Sequence, residues 1–351
     1  MKKSAFGVIL IRGMLSLVFG MTLLVCPVGN ALAKPLIMEK GVIKSDTTWE
    51  KEVLVKGDIE VVKGATLTIM PGTVIKFVKI EKYGPANLYK DKATYFPRAE
   101  LVIRGKIIAQ GTKDKMIVFT SAEKSPNPAD WGAINLLDTK DNILEYCEIS
   151  YGHTSVHCHG AQVILANCYL HDNGVAIGQK NVKESTTSCV MPVLYNRITG
   201  NGGGVLFGKG TSPTITHNQI SDNKFFGIYG KKGASCDVRY NNVTHNGKGV
   251  IVYAMDGLRL SENNISDNEE YNISLMEGQT WDVDASHNWW GTTDGKKIKE
   301  LIWDKDEDET LGRLVFSDPA DSPIEGAGGF HGERVLNWLD MSKFQPYRDS
   351  C

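Results

Sequence analysis

The feature that most constrains this chain is a short motif that returns about every 22 residues through its second half. Six segments share one pattern: an apolar residue, two variable ones, Asn or Cys, one variable residue, then an apolar one. They begin at Leu144, Leu165, Val193, Ile215, Val238 and Leu260, and a seventh, beginning at Ala285, keeps the asparagine and ends on Trp290. The central column reads Cys147, Cys168, Asn196, Asn218, Asn241, Asn263 and Asn288, with spacings of 21, 28, 22, 23, 22 and 25 residues. A second column, Asn173, Asn201, Asn223, Asn246 and Asn268, lies three residues after the closing apolar position. So short a period, with so few apolar positions, cannot hold a helix pair per repeat. It fits one coil of a parallel β-solenoid, whose strands stack on the next coil at about 4.8 Å. A leucine-rich repeat has a similar period but needs regularly spaced leucines, which are missing. At a bend, a buried Asn can bond its equivalents above and below and so satisfy polar groups that cost roughly 1–3 kcal/mol each when unpaired. It also tolerates the left-handed backbone of such bends.

Composition agrees with a folded, exported β protein. Of 351 residues 42% are hydrophobic, and the formal net charge is −2. That excludes disorder and leaves no electrostatic footprint for nucleic acid or an anionic membrane. The basic start Met1-Lys2-Lys3, the apolar run 14–25 and the small residues Ala31-Leu32-Ala33 predict a signal peptide over 1–33, cleaved after Ala33. No second apolar stretch is long enough to span a bilayer, so no membrane span is expected after cleavage.

Upstream of the ladder, residues 53–77 and 101–112 are strand–turn–strand units with alternating apolar residues, continued through 117–137. Residues 79–98, rich in Tyr and Pro, read as a loop extruded from one coil. The expected organisation is an all-β, right-handed parallel β-helix over 34–324 with covers at both ends. An N-terminal cover and first coils span 41–137, with 34–49 closing that end. Asn-ladder coils follow over 142–291, then a C-terminal cover over 292–324, and 325–351 form a flexible tail. Covers are expected because a solenoid end exposes strand edges.

The opening WEKEVLVKGDIEVVKGATLTIMPGTVIKF and the closing Asn288-Trp289-Trp290-Gly291, followed by an acidic loop and LGRLVF, resemble the pectin lyase-like superfamily of right-handed parallel β-helix proteins, in its secreted bacterial form. The resemblance spans roughly residues 41–324. It implies the fold, but the superfamily holds polysaccharide lyases, glycoside hydrolases, adhesins and binding proteins alike.

Two constellations could carry chemistry. Strand alternation places Asp237, Arg239, Arg259, Asp282 and Asp284 on one exposed patch of successive coils. A glycoside hydrolase needs two carboxylates about 5–9.5 Å apart, and one or two coil spacings supply that. A lyase would add calcium and a basic residue. The plainer reading is a solvated ladder of alternating charge. The second constellation is His153, His157, Cys158, His159 and His171, four imidazoles and a thiol on neighbouring coils, suited to copper or zinc. Here the chain also resembles periplasmic β-helix proteins that assist copper-site maturation, although the spacing matches no defined zinc module. Cys147 and Cys168, adjacent in the ladder column, are close enough for a disulfide, and an oxidising compartment would permit it. Reduced, buried thiols filling the column are the alternative.

The sequence therefore predicts an exported, non-catalytic β-helix protein, periplasmic or extracellular, that presents an extended surface to a polysaccharide or another envelope component and needs no cofactor. The alternatives are a lyase or glycoside hydrolase, and a periplasmic copper-handling protein.

Overall fold

A computed structural model describes residues 34–90, 94–182, 185–329 and 339; the signal-peptide expectation falls outside them. Three all-parallel sheets run the length of the chain and are visited in strict rotation. Sheet A holds ten strands, from Leu36–Met38 to Asn264–Ser266. Sheet B holds eleven, from Gly41–Ile43 to Ile302–Trp303, and sheet C nine, from Thr47–Trp49 to Gly257–Leu260. Each strand pairs with its equivalent one coil away, so the protein is a right-handed parallel β-helix. Among the described residues no helix is long and apolar enough to cross a membrane.

Short strands suffice because each coil repeats the same inward positions. Leu67, Ile75, Leu101, Ile107, Phe119 and Leu144 are fully buried, and Trp49, Trp131 and Trp290 fill the wider sections. Phe77 stacks on Trp131 at 4.3 Å between ring centroids.

The corners carry the asparagines. At the C-to-A corner, the Asn196 amide N–H donates to Asn218 Oδ1 at 2.8 Å, Asn218 to Asn241 at 2.9 Å, Asn241 to Asn263 at 3.0 Å and Asn263 to Asn288 at 2.9 Å. Side-chain Nδ2 groups run alongside in the same direction. The A-to-B corner repeats this through Asn173, Asn201, Asn223, Asn246 and Asn268. The left-handed residue at each bend is not the asparagine but the one before it: φ is 56° at Tyr195, 58° at His217, 55° at Tyr240 and 60° at Glu262. A residue in that conformation turns the chain so that the next side chain points inward, where its amide replaces the strand hydrogen bonds lost at the bend.

The ends differ from expectation. Residues 36–49 are the first coil itself, with Trp49 in the core, and they leave Leu36, Ile37 and Val42 exposed at 45%, 50% and 42%. The three short strands Leu36–Met38, Gly41–Ile43 and Thr47–Trp49 each pair with a strand of the next coil, so they extend the three sheets instead of covering them. At the other end, the helix Gly295–Glu300, capped by Asp294, buries Ile298. Its chain continues into Ile302–Trp303, which completes sheet B. Asp304, buried, accepts from Lys299 Nζ at 2.7 Å and from the amides of Asp306 and Leu314, so the acidic loop is a structural turn. Beyond it, residues 317–329 are tied to the outside of the solenoid instead of hanging free. His287 N donates to Ser317 O, Ala320 N to Asn288 O, Ile324 N to Asn264 Oδ1, and Gly328 N to Tyr240 O. The rest of the expected tail lies outside the described residues, apart from Leu339.

Candidate functional site

Residues 78–90 and 94–100 leave the solenoid between the sheet A strand Val74–Phe77 and the sheet B strand Leu101–Ile103 and lie over the outer face of sheet B. Outward positions there are set by register: Glu60, Val102, Asn135 and His157 stand in one column on successive coils. The loop is fastened to that column and its neighbours. Tyr89 donates its hydroxyl to Glu60 at 2.6 Å, Arg104 donates to the Tyr95 hydroxyl at 2.6 Å, and Asn135 Nδ2 donates to Thr94 O at 3.1 Å. Tyr89 and Tyr95 stack at 4.4 Å.

Two buried carboxyls anchor the base of the loop. Asp58 accepts from the amides of Leu88 at 2.7 Å and Glu100 at 3.1 Å, and Glu100 Oε2 accepts from Phe96 N at 3.3 Å. Burial pushes Asp58 up to about 6 despite those hydrogen bonds, and burial together with the nearby Asp58 charge raises Glu100 well above the usual carboxylate range. Glu100 Oε1 and Asn135 Oδ1 have no partner among the described residues.

Beyond the loop the same face opens into a cleft of about 620 Å³. Thr94 and Phe96 form its roof. Its floor and far wall come from His153, His157, Gly178, Leu206 and Tyr253, with Lys180, Lys209, Lys231 and Lys232 along the rim. A Cβ on Gly178 would meet Thr154 Cγ2 at 2.6 Å and His157 Cδ2 at 3.1 Å, so a side chain there would crowd the floor. Phe96 packs on the His153 ring at 4.1 Å and the His157 ring at 5.6 Å. None of the described lining residues is Asp or Glu, which leaves the cleft a one-sign, cationic surface with exposed ring edges. A surface of one sign favours anions, and none of the described lining residues supplies the carboxylate pair that sugar hydrolysis uses.

The expected histidine–cysteine set is split. His153 and His157 face the cleft, and His159 lies beside His157 with ring centroids 4.1 Å apart. Cys158, between them on the strand, alternates inward, is fully buried, and forms a disulfide with Cys189. It cannot be a thiolate ligand there. His171 sits on sheet A, bonded to Asp172 at 2.7 Å and Glu148 at 3.3 Å. Among the described residues no three His, Cys, Asp or Glu side chains converge as a metal group. What remains is the His157–His159 pair. Burial, helped in His157 by the neighbouring His159, holds His157 well below the ordinary imidazole value, and burial lowers His159 to about 4. Both are therefore neutral at pH 7, the ligand-competent form. His157 Nδ1 and His159 Nε2 have no hydrogen-bond partner among the described residues.

The expected disulfide between Cys147 and Cys168 is not formed: both are free, buried thiols. They take the place of ladder asparagines. Cys147 N donates to Cys168 Sγ at 3.4 Å, and the Cys168 thiol donates to Ala166 O at 3.2 Å and Leu144 O at 3.4 Å. Stacked side chains point the same way, each toward its own carbonyls, not toward each other.

The charged patch is only partly assembled. Asp237 and Arg239 form a paired fork at 2.7 and 2.8 Å, and Arg259 stands in register beside Asp237 on the outside of sheet C. Asp282 accepts from Arg313 N of the C-terminal segment, and Asp284 from Ser286 N within its own turn. None of the five lines the cleft.

The lysine rim was missed, yet its signal is present. Lys180, Lys209 and Lys231 are spaced 29 and 22 residues apart, nearly the 28 and 22 that separate Cys168, Asn196 and Asn218. The repeat that sets the corners thus also sets these cations.

Comparison with protein families gives two matches. Residues 41–154 match the model of the pectate-lyase like beta helix domain, and residues 114–283 match the model described as periplasmic copper-binding protein (NosD). Comparison with curated proteins and with solved structures returns no significant match.

Proposed function

Because this chain is a right-handed parallel β-helix protein of the pectin lyase-like superfamily, we propose that it serves in the periplasm as a non-enzymatic binding protein that holds an anionic carbohydrate or envelope component in the sheet B cleft. The observation that carries this reading is the rim of four lysines with no carboxylate among the described lining residues. Cations spaced along the solenoid favour a ligand with several negative charges, and the Phe96 and Tyr253 rings offer surface to a sugar face.

The test is binding of the purified protein to a panel of anionic and neutral polysaccharides by calorimetry. Binding should be confined to the anionic members and weaken with salt. Lys209→Glu with Lys231→Glu should cost at least about tenfold in affinity, a loss of roughly 1.4 kcal/mol. Equal binding to neutral glycans would overturn the charge argument. Release of reducing ends or unsaturated uronate that is lost in Asp284→Ala or Arg259→Ala would overturn the non-enzymatic part.

A second reading is favoured by one specific pair of residues. The matched family description names copper, and His157 and His159 offer two neutral imidazoles with unpartnered nitrogens. Two nitrogen donors fall short of a closed tetrahedral zinc site. Imidazole suits copper, so these two residues would hold the ion. Stoichiometric copper binding that raises Tm and vanishes in His157→Ala with His159→Ala would support this reading; weak, non-saturating uptake would retire it.

A further inference from the structure

On the coils downstream of the cleft, sheet B differs from its two companions. Val205, Ile228, Val250 and Ile273 belong to the core, so the residue after each points out of the solenoid. Register stacks these as Leu206, Tyr229, Ile251 and Ser274, and continues the column to Trp303. A second column, Gly203, Phe226, Lys248 and Tyr271, opens the same strands. Its rings meet those of the first: Phe226 stands edge-on to Tyr229 at 5.6 Å and Tyr271 to Trp303 at 5.5 Å. Gly203 makes room for this, because a Cβ there would collide with the Phe226 ring. On the same coils sheet A turns Gln219, Asn242 and Asn264 outward, and sheet C turns out Thr214, Asp237 and Arg259. Those two faces are polar, whereas sheet B is apolar and aromatic, and it meets the cleft at Leu206.

Rings on this face carry cations. Lys231 Nζ lies 4.7 Å from the Tyr229 ring centroid, and Lys248 Nζ lies 6.0 Å from that of Tyr271. At the adjoining corner Phe225, 58% exposed, has Lys224 Nζ at 5.2 Å. Neither column contains Asp or Glu, and the carboxylate beside them, Glu270, pairs with Lys248 at 3.1 Å. The formal net charge of −2 averages over this local excess of lysine and conceals it.

We infer that this part of sheet B docks on an anionic lipid surface, with the rings at the boundary of acyl chains and headgroups and the lysine ammonium groups level with the phosphates. The inference rests on the reading of sheet B as the binding face, and it makes the envelope component a membrane leaflet. Two observations favour lipid over a soluble glycan at these coils. Stacking on sugar needs bare ring faces, but Phe225, Tyr229 and Tyr271 each hold a cation over theirs. Aliphatic Leu206 and the exposed Phe225 offer nothing to hydroxyl groups, whereas apolar groups bordered by lysine suit the interface of an anionic bilayer.

Flotation of the purified protein with lipid vesicles tests this. It should rise with vesicles of phosphatidylglycerol and phosphatidylcholine and stay behind with phosphatidylcholine alone. Phe225→Ser with Tyr271→Ser, neither of which lines the cleft, should weaken partitioning at least about tenfold while circular dichroism and affinity for polygalacturonate stay at the parent values. Should that pair disturb the fold, Phe225→Ser alone, at an exposed position, should still weaken partitioning about threefold. No flotation with anionic vesicles, equal flotation with neutral ones, or folded variants that float like the parent would each overturn the docking. Polygalacturonate binding without vesicle binding would sink this inference and leave the carbohydrate reading standing; vesicle binding without polygalacturonate binding would do the reverse.

Discussion

The upstream coils, residues 36–137, and the ladder coils, residues 142–288, build one solenoid but close its corners differently. In the ladder coils each C-to-A corner from Asn196 onward holds an asparagine, bonded to its neighbours on both sides within the stack. Upstream, the same corner is closed by Gly72 at φ 82° and by Thr73, whose hydroxyl donates to Met70 O at 2.7 Å and Trp49 O at 3.3 Å. Polar demand in the ladder coils is met along the axis, coil to coil. Upstream it is met locally, and two buried carboxyls, Asp58 and Glu100, are turned outward to hold a loop. The half wired to itself is uniform, whereas the half wired to an insertion builds one wall of a cleft.

If that division is right, the largest effect should come from a middle rung. Asn241→Ala takes the Asn241 Oδ1 acceptor from Asn218 N and Nδ2 and the Asn241 Nδ2 donor from Ile215 O and Arg239 O, and should cost about 2–4 kcal/mol in denaturant unfolding. A cost below about 1 kcal/mol would erase the contrast between the halves. Asn242, next to it, faces outward but donates to Gln219 Oε1 and Ala327 O, so its Ala variant should lose far less, about 0.5–1.5 kcal/mol.

The upstream half should answer to pH instead. Asp58 has a folded value raised from 3.8 to about 6. Folding therefore favours its protonated form; this contribution is complete below the unfolded value and is lost as pH rises through 6. Between pH 4.5 and 7 the loss amounts to roughly 2 kcal/mol. Asp58→Asn should flatten the pH dependence of stability over that window relative to the parent, and parallel curves would show that Asp58 is not desolvated under the loop.

Smaller effects sharpen the boundary between the halves. Cys168→Asn should extend the ladder by one rung and raise stability by about 0.5–1.5 kcal/mol, whereas a loss would mean that the thiol is the better fit at that corner. Arg259→Ala, on the exposed outside of sheet C, should change stability by no more than about 0.5 kcal/mol.

How much of this could be read in the sequence follows the same division. The ladder was legible because a buried amide at a bend admits few substitutes, so Asn196 to Asn288 recur in register. The extrusion of residues 79–98 was legible from its Tyr and Pro content. The cleft was not, because it depends on where that loop lies down, and nothing local to Tyr89 or Phe96 says that they rest on Glu60 and His153. Only part of the histidine–cysteine cluster shares one face for a related reason: neighbours on a strand face opposite ways, so Cys158 entered the core while His157 and His159 face outward. Proximity in the ladder left Cys147 and Cys168 open to either a disulfide or reduced thiols, and in the fold their parallel side chains each meet carbonyls and stay free. Cys158 and Cys189 are 31 residues apart and follow no column.

The asparagine ladder has a sense of direction. Every rung from Asn196 to Asn263 gives its amide proton toward the C-terminal end, and Asn288 receives without passing one on to a further asparagine. A stack in which each member touches only its two neighbours behaves as a one-dimensional chain, and a missing member severs it into two shorter chains. Damage should therefore depend on position more than on chemistry. Loss of Asn288 shortens the chain by one, while loss of Asn241 leaves two fragments, each polarised by fewer links. The same asparagine-to-alanine exchange, walked from one end to the other, would trace an arch of destabilisation highest at the centre.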